Sequence, residues 1–410
     1  MSGQYPCGGM PRRQFAHATA LSMLGITAAT AQQTATKPSG TTKSGETTQR
    51  GKLGIPGPYP GRVVEVRNPS LNRGGRKDRE AIHKTVNQGL VALTGADDPV
   101  EAWRTFVSPG ECVGIKVVPN GHPGAPTSPE LILEVIDGLQ SAGIKLKDMV
   151  VFDRYRREFM AAGYQKILPA GVAWGGLTPD EWDQGQMKLK FEGADAISGY
   201  DPDDFVQTMI VCRGQDPKDD RVYRSHLGRI VTHRLDKIIG LPCVKDHHAA
   251  GVTGALKNMS HGLVNNVFRS HSNPQGIAMN VFIPTVVRHP VIRTKCVLHI
   301  MDGMRAVWEG GPFGNDPKWL WDYNALLFAT DPVAMDHIEW DIIDAKRKQM
   351  GIPGTGAVGR LAADPNKIEA YDIRQPQYIA MAGQVGLGLF DYKSPTGRRT
   401  SIDHRVMNIT

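Results

Sequence analysis

Residues 237–263, KIIGLPCVKDHHAAGVTGALKNMSHGL, decide the architecture. The β-branched run KIIGLPCVK (237–245) predicts a strand that ends on Lys245-Asp246-His247-His248. A glycine-containing turn follows, and Thr253 is placed to cap a helix near 253–264 that carries Lys257 and Asn258. The same alternation extends outward along the chain. Strands are predicted at 62–68, 111–119, 148–154, 295–303 and 324–330. Helices are predicted near 78–93, 97–107, 129–142, 278–288 and 332–349. The pattern predicts an α/β fold, a mostly parallel sheet flanked by helices. Periodicity fails over 164–235, which is rich in Gly, Asp and aromatics and is read as an irregular inserted or second lobe.

Composition is that of an ordinary water-facing protein: 410 residues, 40% hydrophobic, 22% charged, mean hydropathy −0.31. No apolar run reaches the length of a membrane span, so none is expected in the mature protein. The net charge of +7 includes Arg12 and Arg13, and the rest is spread without a basic block. That distribution argues against a nucleic-acid partner and for a small anionic ligand. Of five cysteines, Cys112, Cys212, Cys243 and Cys296 lie far apart, with no C-x-x-C pair. Neither an iron–sulfur cluster nor a cysteine zinc site is expected, and buried free thiols are favoured over one disulfide.

The N-terminus reads as an address. Arg12-Arg13 precede a mildly apolar stretch and an Ala29-Thr30-Ala31 cleavage pattern, which together match a twin-arginine signal peptide over 1–31. Residues 32–61 hold little to bury and are predicted to be a disordered linker before a body at 62–410. A periplasmic or otherwise exported location follows, with the twin-arginine export machinery as a partner.

In open α/β sheets, ligands collect beyond the carboxyl ends of the strands. The predicted strands end near Lys116 and Asn120, at Asp153-Arg154, at Lys245 to His248, at Asp302 and at Asp331. Lys116 and Lys245 close apolar runs, where an unpaired charge would cost several kcal/mol, so each must face solvent or an anion. Eight of thirteen histidines lie between His226 and His299, and His247, His248, His261 and His271 surround one predicted helix. Adjacent His247 and His248 cannot both point inward from a strand. From Gly251 to Asn258 a helix N-terminus with Thr253, Lys257 and Asn258 is suited to an anion.

The blocks GIKVVPNG, TSPELILEVIDGLQSAGI, LPCVKDHHAAGVTGALKNMSHGL, MDG…GGPFG and TDPVAMD occur in order over roughly 110–345. In this the chain resembles the domain-of-unknown-function family 362. The resemblance implies an α/β fold and marks Lys116, Asn120, Lys245, His247, Thr253, Lys257, Asn258, Asp302 and Asp331 as shared positions. Many relatives look like iron–sulfur proteins through an added ferredoxin-type domain; the spaced cysteines of such a domain are absent here.

The expectation is an enzyme acting on a small anionic substrate. Lys116, Asn120, Thr253, Lys257 and Asn258 would bind it, and His247, His271 and Lys245 would carry the chemistry. In a metal-assisted version Asp302, Asp331 and His248 hold a divalent ion. The alternative is a non-catalytic periplasmic anion- or metal-binding protein.

Overall fold

The computed structural model describes residues 52–178, 197–212, 215–271, 277–355, 376–390 and 402–410. The expected signal peptide, and the expected linker as far as Gly51, lie outside the described residues. Those described belong to one compact unit, Gln49–Thr410.

An eleven-stranded sheet forms the centre. From one edge its main path runs Asp403–Asn408, Arg62–Arg67, Ala325–Ala329, Cys296–Val307, Lys237–Gly240, Val113–Lys116, Met149–Tyr155 and Ala173–Thr178. Neighbours from Cys296–Val307 to Ala173–Thr178 are parallel, and Ala325–Ala329 runs against its two neighbours. The α/β architecture read from the sequence is therefore present; Lys116 and Asp153 lie at the carboxyl ends of parallel strands, whereas Asp302 is within Cys296–Val307 and Asp331, following the antiparallel Ala325–Ala329, lies at the opposite end of the sheet.

Alternation of side chains divides the interior in two. Val113, Ile115, Met149 and Val151 enter one core with residues of the helices Arg79–Thr94 and Pro129–Ser141. Val150, Phe152 and Ile238 enter the other, with residues of Gly254–His261, Ile277–Val287, Pro332–Gln349 and Gln377–Gln384. Lys116 lies out of phase with Val113 and Ile115 and so faces the second layer. Each fully buried Val, Ile, Leu or Phe contributes roughly 1.5–3 kcal/mol relative to exposure, and both layers draw on that term. Among the described residues no helix is long and apolar enough to cross a membrane.

Three sequence expectations need adjustment. KIIGLPCVK is two strands, Lys237–Gly240 and Cys243–His247, because Pro242 cannot donate to a ladder. The second strand leaves Lys237–Gly240's path and pairs with the far half of Cys296–Val307. The lobe at 164–235 is only partly separate: Ala173–Thr178 joins the main sheet, while Tyr200–Gln207 and Arg224–Gly228 form their own antiparallel pair. Fully buried Arg269 pins that pair, donating to the carbonyls of Thr208 and Tyr223 and to Ser225 Oγ.

The third concerns residues 52–61, expected in the linker but packed on the body. Ile55 is buried, its N–H donates to Arg293 O at 2.8 Å, and Gly61 N donates to Asp331 Oδ2 at 2.9 Å. Gly57 has φ +79°, and a Cβ there would stand 2.4 Å from Thr330 Cβ. Composition alone suggests freedom; glycine instead permits close approach. Gly57→Val is expected to cost about 1–3 kcal/mol, read as a lower midpoint in urea unfolding. An unchanged midpoint would show that the 52–61 segment contributes nothing to the fold.

Candidate functional site

The helix Gly254–His261 is seated by a buried carboxylate. Asp336 Oδ1 accepts from Ala255 N at 2.5 Å and its Oδ2 from Leu256 N at 3.1 Å. Gly254 makes this possible: its φ is +57°, and a Cβ would lie 2.3 Å from Asp336 Cγ. Thr253 does not cap with its side chain; its hydroxyl turns to Asp246 O at 3.4 Å. The helix N-terminus expected to receive an external anion is thus already occupied by a carboxyl group of the protein's own. Burial pushes Asp336 up to about 8. Glu339, one turn further along the long helix, is raised well above the carboxylate range by burial and then by Asp336, while its Oε1 accepts from Lys245 N at 2.9 Å.

Lys116 is almost fully enclosed and fully engaged. Its Nζ donates to Asp153 Oδ1, to Val117 O at 2.7 Å and to Asn258 Oδ1 at 2.9 Å. Asn258 returns its amide N–H to Lys116 O at 3.5 Å. Lys116 and Asn258, expected to bind substrate, therefore bind each other and lock helix to sheet. A Cβ at Gly262 would meet Lys116 Cε at 2.2 Å, so the helix exit must also be glycine. Lys245, with no exposed surface, donates to Asn120 O, and burial lowers its pKa. Asn120 Oδ1 is buried without a hydrogen bond.

Asp302 and Asp331 depart from the metal expectation. Asp302 accepts from Ser128 N at 2.8 Å and Met304 N at 3.0 Å, serving the start of helix Pro129–Ser141. Asp331 accepts from Val333, Ala334, Gly61 and Leu389 N–H groups, all at 2.8–2.9 Å. Both carboxylates are filled by backbone donors, and His248 Nδ1 meets Gly311 O at 3.0 Å. Among the described residues no three His, Cys, Asp or Glu side chains are placed to hold a metal.

The histidines do converge. Ring centroids of His247 and His248 are 5.0 Å apart, of His247 and His271 5.7 Å, and of His261 and His271 5.5 Å. Proton accounting fixes their tautomers. His247 Nδ1 accepts from Ala249 N at 3.0 Å and Ala250 N at 3.2 Å, which leaves Nε2 as a donor. Ser270 Oγ gives its single proton to Val267 O at 2.6 Å. His261 Nε2, 2.9 Å from that oxygen, and His271 Nδ1, at 3.1 Å, must therefore donate to it. His261 Nδ1 lies 3.0 Å from Ser260 Oγ, whose single proton is shared between that nitrogen and Lys257 O at 3.2 Å, and a neutral His271 that donates through Nδ1 keeps Nε2 as its basic nitrogen. Burial, followed by Lys257, pushes the pKa of His247, His261 and His271 well below the ordinary imidazole value.

Lys257, Arg154, Glu158, His248 and His271 are partly exposed above this buried floor. The Lys257 ammonium makes no hydrogen bond or ion pair among the described residues, while its carbonyl accepts from Ser260 Oγ at 3.2 Å. Burial and then Arg154 lower its pKa to about 7, with Lys116 and Lys245 acting in the same direction. Glu158 rises to about 7 through burial and then Asp153. Asp153 and Arg154 stood out in the sequence as strand-end charges, but Glu158, Ser260, Ser270 and Asp336 did not. Only Asp336 had a signal, as the last residue of TDPVAMD.

Residues 215–341 match the sequence model of a domain of unknown function, DUF362. No curated protein matches the chain. A crystal structure of a Thermotoga maritima protein is similar at 11% identity over 81% of this chain and 88% of that one, with a TM-score of 0.34.

Asp336→Ala is expected to cost about 1–2 kcal/mol through the lost cap, whereas Thr253→Val should change urea stability by less than about 0.5 kcal/mol. Equal losses in the two variants would contradict the capping assignment.

Proposed function

Taking residues 215–341 as a DUF362 domain, we propose that the chain is an exported enzyme binding a small oxyanion beside Lys257, with His271 as general base. The observation that carries this reading is the unbalanced charge around Lys257. Around Lys257 stand the cations Arg154, Lys116 and Lys245, and Glu158, the one carboxylate acting on Lys257, is itself drawn to about 7; Asp153 is taken up by Lys116, and Asp302 and Glu339 act on Lys245. A carboxylate or phosphate entering there would neutralise the excess and restore the Lys257 ammonium.

The histidine roles follow from their protons. His271 Nε2 holds the lone pair at the partly exposed mouth, which suits abstraction of a substrate proton. His247 can only donate through Nε2–H, so it is assigned to polarising or stabilising an oxyanion rather than to base catalysis. Lys245 and Asn120 lie deeper and position one another. Divalent-metal assistance has no support from Asp302 or Asp331, whose oxygens are occupied by backbone amides.

A depressed Lys257 makes binding proton-linked. At pH 8 the free lysine is mostly neutral, so binding of inorganic phosphate or malonate should take up a proton, seen as calorimetric heats that vary with buffer ionisation enthalpy. Lys257→Met should abolish the uptake and weaken binding by about tenfold or more. Absence of any heat and of any thermal shift with either anion at millimolar concentration would remove the proposal. His271→Asn separates enzyme from binder: affinity is retained in both, while turnover of a substrate found by screening is lost only in the enzyme.

Export is proposed from Arg12-Arg13 and the A-x-A pattern. Replacing the pair by Lys-Lys should leave the chain inside the cell as an unprocessed precursor, measured by fractionation and immunoblot. Unimpaired export of that variant would contradict the twin-arginine route.

A further inference from the structure

Beneath the site helix lies a group of side chains that the proposed reaction does not use. Cys296, Met259 and His299 have no exposed surface. Cys296 Sγ lies 3.2 Å from Met259 Sδ, a contact between two polarisable sulfurs in an apolar core. Both ring nitrogens of His299 are buried without a hydrogen bond, a state that calls for a missing partner.

A β-bulge turns Cys296 and His299 to the same side of the sheet. Cys296 and His299 are three apart on one strand and in a regular pleat would face opposite sides. The register shifts between Cys296 and Leu298, so Cys296 pairs with Ile238 and His299 with Gly240. Ile238 and Gly240 are two apart and share a face, and the bulge therefore returns Cys296 and His299 to one side of the sheet. That is the side of Met259, since Ile238, Cys296 and Met259 occupy the same core. Gly240 lets Met259 and His299 both close in on its Cα: a Cβ there would stand 2.8 Å from Met259 Cε and 2.9 Å from His299 Nδ1.

We propose that Cys296 Sγ, Met259 Sδ and a ring nitrogen of His299 form a buried three-coordinate site for a soft monovalent metal ion, Cu(I). The donor set selects for softness, a thiolate and a thioether with one imidazole. Charge selects for valence. On binding, Cys296 releases its thiol proton, and a monovalent ion with one thiolate is neutral, whereas Zn²⁺ would leave a positive charge in an apolar interior. Burial holds His299 to about 3, so its imidazole is neutral and able to coordinate.

The test uses the full chain, reduced and anaerobic, with Cys7→Ser and Cys112→Ser in place because Cys112 is only half-buried and could bind copper alone. Titration with Cu(I) against a competing chelator should give one tightly bound equivalent and a raised Tm. X-ray absorption should show two sulfurs and one nitrogen around the metal. Met259→Leu keeps the core filled; it should weaken binding by about tenfold or more and remove one sulfur from the spectrum. His299→Phe should remove the nitrogen. No bound equivalent, or copper whose affinity and spectrum are unchanged in Met259→Leu, overturns the site. Neither result bears on anion binding at Lys257, which is read separately.

Discussion

Asp336 reaches from the long helix Pro332–Gln349 into the start of Gly254–His261, where its two oxygens take the amides of Ala255 and Leu256. A helix N-terminus carries about half a positive charge, and filling it from within costs nothing in ligand. It also sets the helix's height and rotation over the sheet. Gly254 at one end and Gly262 at the other are spaces into which Asp336 and Lys116 fit. With the helix so seated, Asn258 meets Lys116 at the floor, His261 meets Ser270, and Lys257 is carried to the open side. The positions of Lys257 and His261 follow from this one docking.

The same enclosure generates the electrostatics. Lys116 is stabilised by Asp153, Asn258 and a carbonyl, and in an interior of low polarisability its charge needs all three. Lys245 has a single carbonyl for its ammonium, with Glu339 and Glu158 nearby. Lys257 has no carbonyl and only Glu158 against the repulsion of Arg154, and burial takes its pKa toward neutrality. A gradient from compensated to uncompensated charge therefore runs from the floor to the mouth of the crevice. Arg269 extends the order outward: by pinning Tyr200–Gln207 and Arg224–Gly228 it fixes the segment that presents Ser270 and His271.

Much of the architecture was legible because it rests on periodicity. The β-branched runs and the helical stretches near 78–93, 129–142 and 332–349 each announce their type by which faces can be buried. The cluster of His247, His248, His261 and His271 was also visible, since a turn and a short helix bring nearby residues together. Thr253 as a cap and Asp302 or Asp331 as metal ligands were reasonable from residue type alone. Thr253 was displaced by Asp336, more than eighty residues on, and Asp302 and Asp331 by backbone amides, those of Val333 and Ala334 making Asp331 the N-cap of its own helix. Residues 52–61 misled in the opposite sense, because glycine and proline permit intimate packing as readily as freedom.

The sequence by itself determined a sheet-and-helix body, the helix that carries Lys257, and a concentration of basic and imidazole groups near it. Those depend on local spacing and chain proximity. Only the tertiary structure decided which charges are neutralised from within, which histidine nitrogen keeps its lone pair, and which glycines are spaces for distant side chains. The reason is that desolvation and hydrogen-bond accounting are properties of enclosed volumes, and a volume is closed by segments the chain brings together only when it folds.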